Sequence, residues 1–96
     1  MKPSTALTLH RAAIRNVVAK NRASNPRVFG SVAHGEDTES SDLDLLIDPL
    51  QGTTLFDIGR IGWELEQLLG VRVDVLTPKA LPERFRAEVL ADAVPV

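Results

Sequence analysis

A small mixed sheet backed by helices, an α/β (α+β) fold in the order αβ(turn)βαβα, is what this 96-residue sequence predicts. Apolar residues recur at helical spacing through the N-terminal segment. The stretches Leu43–Ile47 and Val71–Leu76 alternate with period two, and a capped helical pattern from Thr54 to Gly70 lies between them. The joints are short and no linker or internal repeat interrupts the chain. One domain, residues 1–96, is expected, burying about 60–65% of the surface of its unfolded form.

Taken in order, Ser4 to Lys20 reads as one helix with Leu7, Ile14, Val17 and Val18 as its apolar stripe and Arg11, Arg15 and Asn16 turned away. Asn21 to Pro26 reads as a loop, and Arg27 to Gly30 as a short strand. Gly35 to Ser41, carrying Glu36, Asp37 and Glu39, is a polar turn region. In the following strand Leu43, Leu45 and Ile47 share the core face, while Asp42, Asp44, Leu46 and Asp48 share the other, and Pro49 ends it.

Thr54 and Asp57 make a capping-box pair at the start of a helix that turns Leu55, Ile58, Gly62, Leu65 and Leu69 inward and closes at Gly70. Phe56, Gly59 and Trp63 form a second stripe on this helix, either completing a small core or forming an interface. In V-R-V-D-V-L, Val71, Val73 and Val75 share one face and Arg72, Asp74 and Leu76 the other. Pro82, at the first helical position, introduces a last helix with Phe85, Val89 and Leu90.

Composition narrows the function. A net charge of −2 and a pI near 5.6 argue against stable nucleic-acid binding through a basic face. Without cysteine there is no thiolate nucleophile and no Cys-ligated zinc. The N-terminal residues lack an apolar leader, and no run of apolar residues is long enough to span a membrane, so a soluble cytoplasmic protein is expected.

The chemistry concentrates between Val28 and Ile47, V-F-G-S-V-A-H-G-E-D-T-E-S-S-D-L-D-L-L-I. Gly30 at a strand end lets backbone approach a phosphate, and Ser31 adds a hydroxyl and an N–H at the start of a short helical turn. Asp42 and Asp44, two apart in a strand, can converge on hard cations. Asp74, on the polar face of the next strand, completes a three-carboxylate cluster if the two strands are neighbours. Such oxygen donors suit magnesium or manganese better than zinc, and two such ions serve in-line phosphoryl transfer.

The Gly30-Ser31 pair followed by Asp42-x-Asp44 resembles the signature of the DNA polymerase beta-like nucleotidyltransferases, and the small chain resembles their minimal nucleotidyltransferase (MNT) branch. V-F-G-S-V-A-H-G, S-S-D-L-D-L-L-I-D, L-F-D, V-D-V-L-T and A-V-P-V carry the resemblance along nearly the whole chain. It implies the polymerase beta-like fold, with Gly30, Ser31 and Ser41 binding nucleotide and Asp42, Asp44 and Asp74 as the catalytic, metal-binding carboxylates. It further implies ATP as substrate, two Mg²⁺ ions with Mn²⁺ as the alternative, and a HEPN-type RNase toxin as partner. Some MNT proteins act as antitoxins by transferring AMP onto a tyrosine of that toxin. His34 stands where such proteins often carry arginine.

This chain contains no tyrosine, so a tyrosine acceptor belongs to another molecule. The rival reading is an interaction module that neutralises its partner by binding alone. A small-molecule transferase is a third, but it ordinarily needs an acceptor-binding domain. Among the remaining polar residues, Asp48 reads as a turn residue, His34 as a turn residue with the alternative that it touches phosphate, and His10 as a solvated helix group. Arg11, Arg15, Lys20, Arg22 and Arg27 read mostly as solvated surface, with the alternative that one reaches the nucleotide.

Overall fold

The computed structural model describes residues 1–96. Helices α1 (Pro3–Leu9) and α2 (Arg11–Lys20) lead into β1 (Ala23–Phe29) and β2 (Leu43–Pro49). Then come α3 (Leu55–Leu69), β3 (Val73–Leu76), a 3-10 turn at Pro78–Ala80, α4 (Glu83–Asp92) and β4 (Val94–Pro95). The sheet order is β3-β2-β1-β4, with β2 parallel to β3 and β1 antiparallel to both β2 and β4. The expected mixed sheet is present.

Period-two alternation in β2 builds the core. Leu43, Leu45 and Ile47 are fully buried and cluster with Ile14 and Val18 of α2 and Ile61 and Leu65 of α3. Burying each such side chain contributes about 1.5–3 kcal/mol, so this strand anchors the helical layer. Leu46 points to the other face, yet it is equally buried, because the segment around the 3-10 turn packs against β2.

Several boundaries differ from the sequence expectation. The first helix is two helices, broken at His10 (φ −128°, ψ 25°), whose N–H donates to the carbonyls of both Ala6 and Leu7. No proline or glycine marks the break. A tertiary tie accompanies it: the buried carboxylate of Asp37 accepts from the Ser4 N–H at 2.8 Å, fastening the start of α1 to the loop that follows β1.

The stretch read as a loop before Arg27 belongs to β1. Its register against β2 shifts between Ser24 and Arg27, with Asn25 in the left-handed region (φ 53°), so Asn25 and Pro26 form a bulge. A bulge tolerates proline, which has no N–H to give to a ladder. Asp48, expected in a turn, is instead a strand residue that clips the bulge, accepting from Asn25 Nδ2 at 2.9 Å and Arg27 Nη2 at 2.6 Å. β4, not foreseen, pairs with β1 through Val28 and Arg27, and Arg15 Nη1 donates to the Val96 carbonyl beyond it.

On α3 the capping box of Thr54 and Asp57 is present as expected. The buried stripe, however, is Asp57, Ile61, Leu65 and Leu69, a strict four-residue spacing that leaves Leu55 85% exposed rather than inward. Phe56 and Trp63 are also exposed, at 83% and 63%, so they do not complete the core. Pro82 caps α4 instead of opening it, and no residue of α4 is buried. At the free edge of the sheet, the Val73 N–H donates to Glu66 Oε2 of α3 at 3.0 Å. No helix is long and apolar enough to cross a membrane.

Asp37 gives a test of this framework. Burial alone raises its pKa, but the Ser4 N–H, with Lys2 nearby, holds the carboxyl below its ordinary value. A carboxyl with a depressed folded-state pKa stabilises the fold above its unfolded pKa, and that contribution is lost as pH falls through the folded value. Asp37→Ala is expected to cost about 1–3 kcal/mol in urea denaturation at neutral pH, since it orphans a helix N–H. The gap between variant and wild type should narrow below about pH 4.

Candidate active site

Strand register decides where the acidic residues meet. Phe29 of β1 lies opposite Asp44 of β2, and Asp44 lies beside Asp74 of β3, so these side chains form a row across the face opposite the α2 and α3 core. Neighbouring strands stand about 4.8 Å apart, close enough for carboxylates to feel one another through a partly dry surface. Asp42 precedes β2 and falls on the same side by parity.

Asp44 records this crowding. Burial chiefly, then the like charges of Asp74 and Asp42, push its carboxyl above the ordinary range. A bound cation would relieve both effects, and a set of hard oxygen donors without cysteine fits magnesium or manganese. The expected three-carboxylate cluster is nevertheless looser than a closed ligand shell: no three His, Asp or Glu side chains converge closely enough to grip an ion as they stand. Like charges hold the groups apart, and Asp42 is drawn toward Arg72, whose Nε lies 3.9 Å from Asp42 Oδ1.

Gly30 closes the site from the other strand. It has φ +71°, and a Cβ built on it would collide with Asp44 Oδ2. Only glycine both adopts this backbone conformation without strain and leaves room for that carboxylate. Ser31 then begins a turn in which its carbonyl accepts from the Glu36 N–H at 2.9 Å and the Gly30 carbonyl from the His34 N–H at 3.3 Å. The N–H groups of Ser31, Val32 and Ala33 donate to no protein acceptor, so the turn presents free donors beside Asp44.

The other candidate residues sort by their contacts. Ser41 stands just before Asp42, but its hydroxyl accepts from the Thr38 N–H at 2.8 Å and so braces the loop. His34 lies 3.5 Å from Asp92 of α4, linking the turn to the last helix across a cleft of about 290 Å³ floored by Phe29 and Gly30 and flanked by Phe85 and Val89. Lys20 pairs with Glu64 and Arg27 with Asp48 in this structure. Arg72, read from sequence only as an outward strand residue, is the cation that borders the carboxylates. Its place beside Asp42 depends on the parallel register, which no local pattern announces.

A family model for the nucleotidyltransferase domain matches residues 13–96, including every one of these positions. The chain belongs to the nucleotidyltransferase domain family. A candidate protein adenylyltransferase of Methanocaldococcus jannaschii, MJ0435, is 36% identical over 80 residues, covering 83% of this chain and 86% of that protein. The protein adenylyltransferase MntA of Thermococcus cleftensis is 37% identical over 67 residues, covering 70% and 68%. A solved candidate minimal nucleotidyltransferase superposes with a TM-score of 0.87 at 45% identity, covering 97% of this chain and 95% of its own. A chain from a toxin–antitoxin crystal structure with AMP-PNP shares the fold at a TM-score of 0.71 and 14% identity, covering 97% and 71%. The fold and enzyme class expected from Gly30-Ser31 and Asp42-x-Asp44 are those of this family.

Two outcomes test the geometry. Gly30→Val should displace Asp44 and strain the turn by about 1–3 kcal/mol, weakening binding of a non-hydrolysable ATP analogue roughly tenfold or more in calorimetry with Mg²⁺. Ser31→Ala removes one hydroxyl and should do less harm. Separately, metal-free Asp44→Asn should melt no lower than wild type at pH 7. A carboxyl whose folded pKa is raised destabilises the fold once ionised, so any advantage of the variant should vanish on acidification below the unfolded pKa of about 3.9.

Proposed function

We propose that this protein transfers AMP from ATP to a tyrosine hydroxyl of a HEPN-type RNase toxin in the cytoplasm, and thereby acts as its antitoxin. The observation that carries the reading is the seating of Asp44 against Gly30, with Asp74 in register beside it, which puts a phosphate-sized turn and the carboxylates within one small site. Protein adenylyltransferases among its sequence relatives, and the shared fold of a toxin–antitoxin chain with AMP-PNP, favour ATP and a protein acceptor. The absence of tyrosine from the chain favours action on another molecule.

In this reading the free N–H groups after Gly30 and the Ser31 hydroxyl hold the β- and γ-phosphates, Ser41 steadies the loop that delivers Asp42, and the cleft between Phe29 and α4 gives the nucleoside room. Two divalent cations, when bound by Asp42, Asp44 and Asp74, supply neutralisation of the triphosphate and a lowered pKa for the acceptor hydroxyl. Asp74, at the exposed edge strand, faces the side from which an acceptor arrives and takes up its proton. The acceptor oxygen forms a bond to the α-phosphorus, the bond from that phosphorus to the β-bridging oxygen breaks, and pyrophosphate leaves. Arg72, close to Asp42, keeps the outer carboxylate oriented in the resting protein.

The test pairs the protein with its cognate toxin. Asp42→Asn combined with Asp44→Asn should retain the toxin in a pull-down yet add no AMP to it by intact mass and leave its RNase active. Silencing by the double variant as complete as by wild type, with no mass added, would replace this reading with neutralisation by binding alone.

A further inference from the structure

One face of α4 is turned toward the sheet without being buried by it. Phe85, Glu88, Val89 and Asp92 recur at helical spacing on that face and line the cleft of about 290 Å³ that they share with Phe29 and Gly30. None of the four is buried, and Phe85 remains 45% exposed. The cleft lies on the same side of the sheet as the Asp44 carboxylate, because Phe29 is opposite Asp44 in the β1–β2 ladder and cross-strand partners share a face. Gly30, whose missing Cβ makes room for Asp44, lines it as well.

Along α4 these side chains come in an order. Asp92 lies 3.5 Å from His34, so the helix meets the turn after Gly30 there. Glu88 stands one helical turn farther back, about 6 Å along the axis. Phe85 lies nearly a turn beyond it, with the Arg84 guanidinium 4.7 Å from its ring centroid. A carboxylate paired with imidazole, an unpaired carboxylate and an aromatic ring thus run in the same direction as the phosphates, ribose and base of a nucleotide whose phosphates rest on the turn. An ionised carboxylate only accepts hydrogen bonds, and the neighbouring 2′ and 3′ hydroxyls of a ribose offer two donors. Asp92 is already engaged by His34, whereas Glu88 makes no ion pair within the chain.

Resting on the transferase reading above, we infer that Glu88 binds the ribose of the triphosphate by accepting from its 2′ and 3′ hydroxyls, and so makes the site selective for ribonucleotides over deoxyribonucleotides. Phe29 and Phe85 supply aromatic surface that any base can use, while the diol contact reads the sugar. A charged acceptor makes the stronger kind of hydrogen bond, and a site built around a hydroxyl rejects the analogue that lacks it. Glu88 is exposed and regains water when the hydroxyl is missing, so the discrimination is about tenfold, far below that of a closed site.

Calorimetry of the full chain with Mg²⁺ compares a non-hydrolysable ATP analogue with its 2′-deoxy counterpart. Wild type should bind the deoxy analogue about tenfold more weakly. Glu88→Ala, a change at an exposed helix position, should bind the two analogues alike, whereas Asp92→Asn, which removes the ion pair with His34, should keep the preference. Equal affinity of wild type for both analogues, or a preference that survives Glu88→Ala, overturns the inference. So does a preference that Asp92→Asn abolishes as fully as Glu88→Ala. The transferase reading is judged separately, by intact mass of the toxin after incubation with ATP. No added AMP, with a ribose preference present in wild type and lost in Glu88→Ala, would sink transfer and leave the ribose site standing. AMP added by a protein that does not distinguish the two analogues would do the reverse, and failure of wild type to bind either analogue would remove both.

Discussion

A carboxylate pressed against a backbone that has no side chain is the contact on which the site depends. Asp44 can occupy its place only because Gly30 has no Cβ, and Gly30 can turn the chain there only because its φ is positive. The strand that holds Asp44 is fixed from beneath by Leu43, Leu45 and Ile47, so packing on one face determines the position of charge on the other. A one-residue slip of β2 would exchange those faces and expose its apolar side chains, which makes the register costly to change.

The electrostatics follow from that rigidity. Burial and two neighbouring like charges destabilise the ionised form of Asp44, and nothing in the chain neutralises it directly. Elsewhere the fold treats its acids in the opposite way: Asp37 and Asp57 receive backbone donors, and both are held below the ordinary carboxylate range. For Asp57 the Thr54 N–H is the leading cause, with Arg22 and Arg60 adding to it. Acids that hold the framework are thus satisfied internally, while Asp44 is left without a compensating partner in the chain.

What could be read from sequence was local or strictly periodic. The alternation around Asp44, the Thr54–Asp57 box and the Gly70 cap are short-range patterns, and each appears in the fold. The Gly-Ser and Asp-x-Asp spacing pointed to a candidate site, and the fold brings Gly30 and Asp44 of that pattern into contact. Features set by tertiary contact escaped: the break at His10, the burial of Asp37, the bulge that turns N-P into strand, and the short β4. Leu55 was misplaced for a related reason, because the stripe on α3 is anchored by Ile61 and Leu65 against β2 rather than by its first apolar residue. Asp74 was placed correctly on its face, but its adjacency to Asp44 required the parallel pairing of β2 with β3.

Glu66 has a consequence for solubility. An edge strand normally offers unpaired amides to any other extended chain, and proteins suppress such pairing with charge, proline, bulges or a covering element. Here a glutamate reaching down from a helix occupies the Val73 N–H and sets a negative charge at the border of β3. A second strand seeking to extend the sheet would have to displace that carboxylate and leave it unsatisfied. A residue that looks like ordinary helix surface therefore covers one amide of the β3 edge and sets a negative charge beside it, a device of the kind that discourages pairing at that edge.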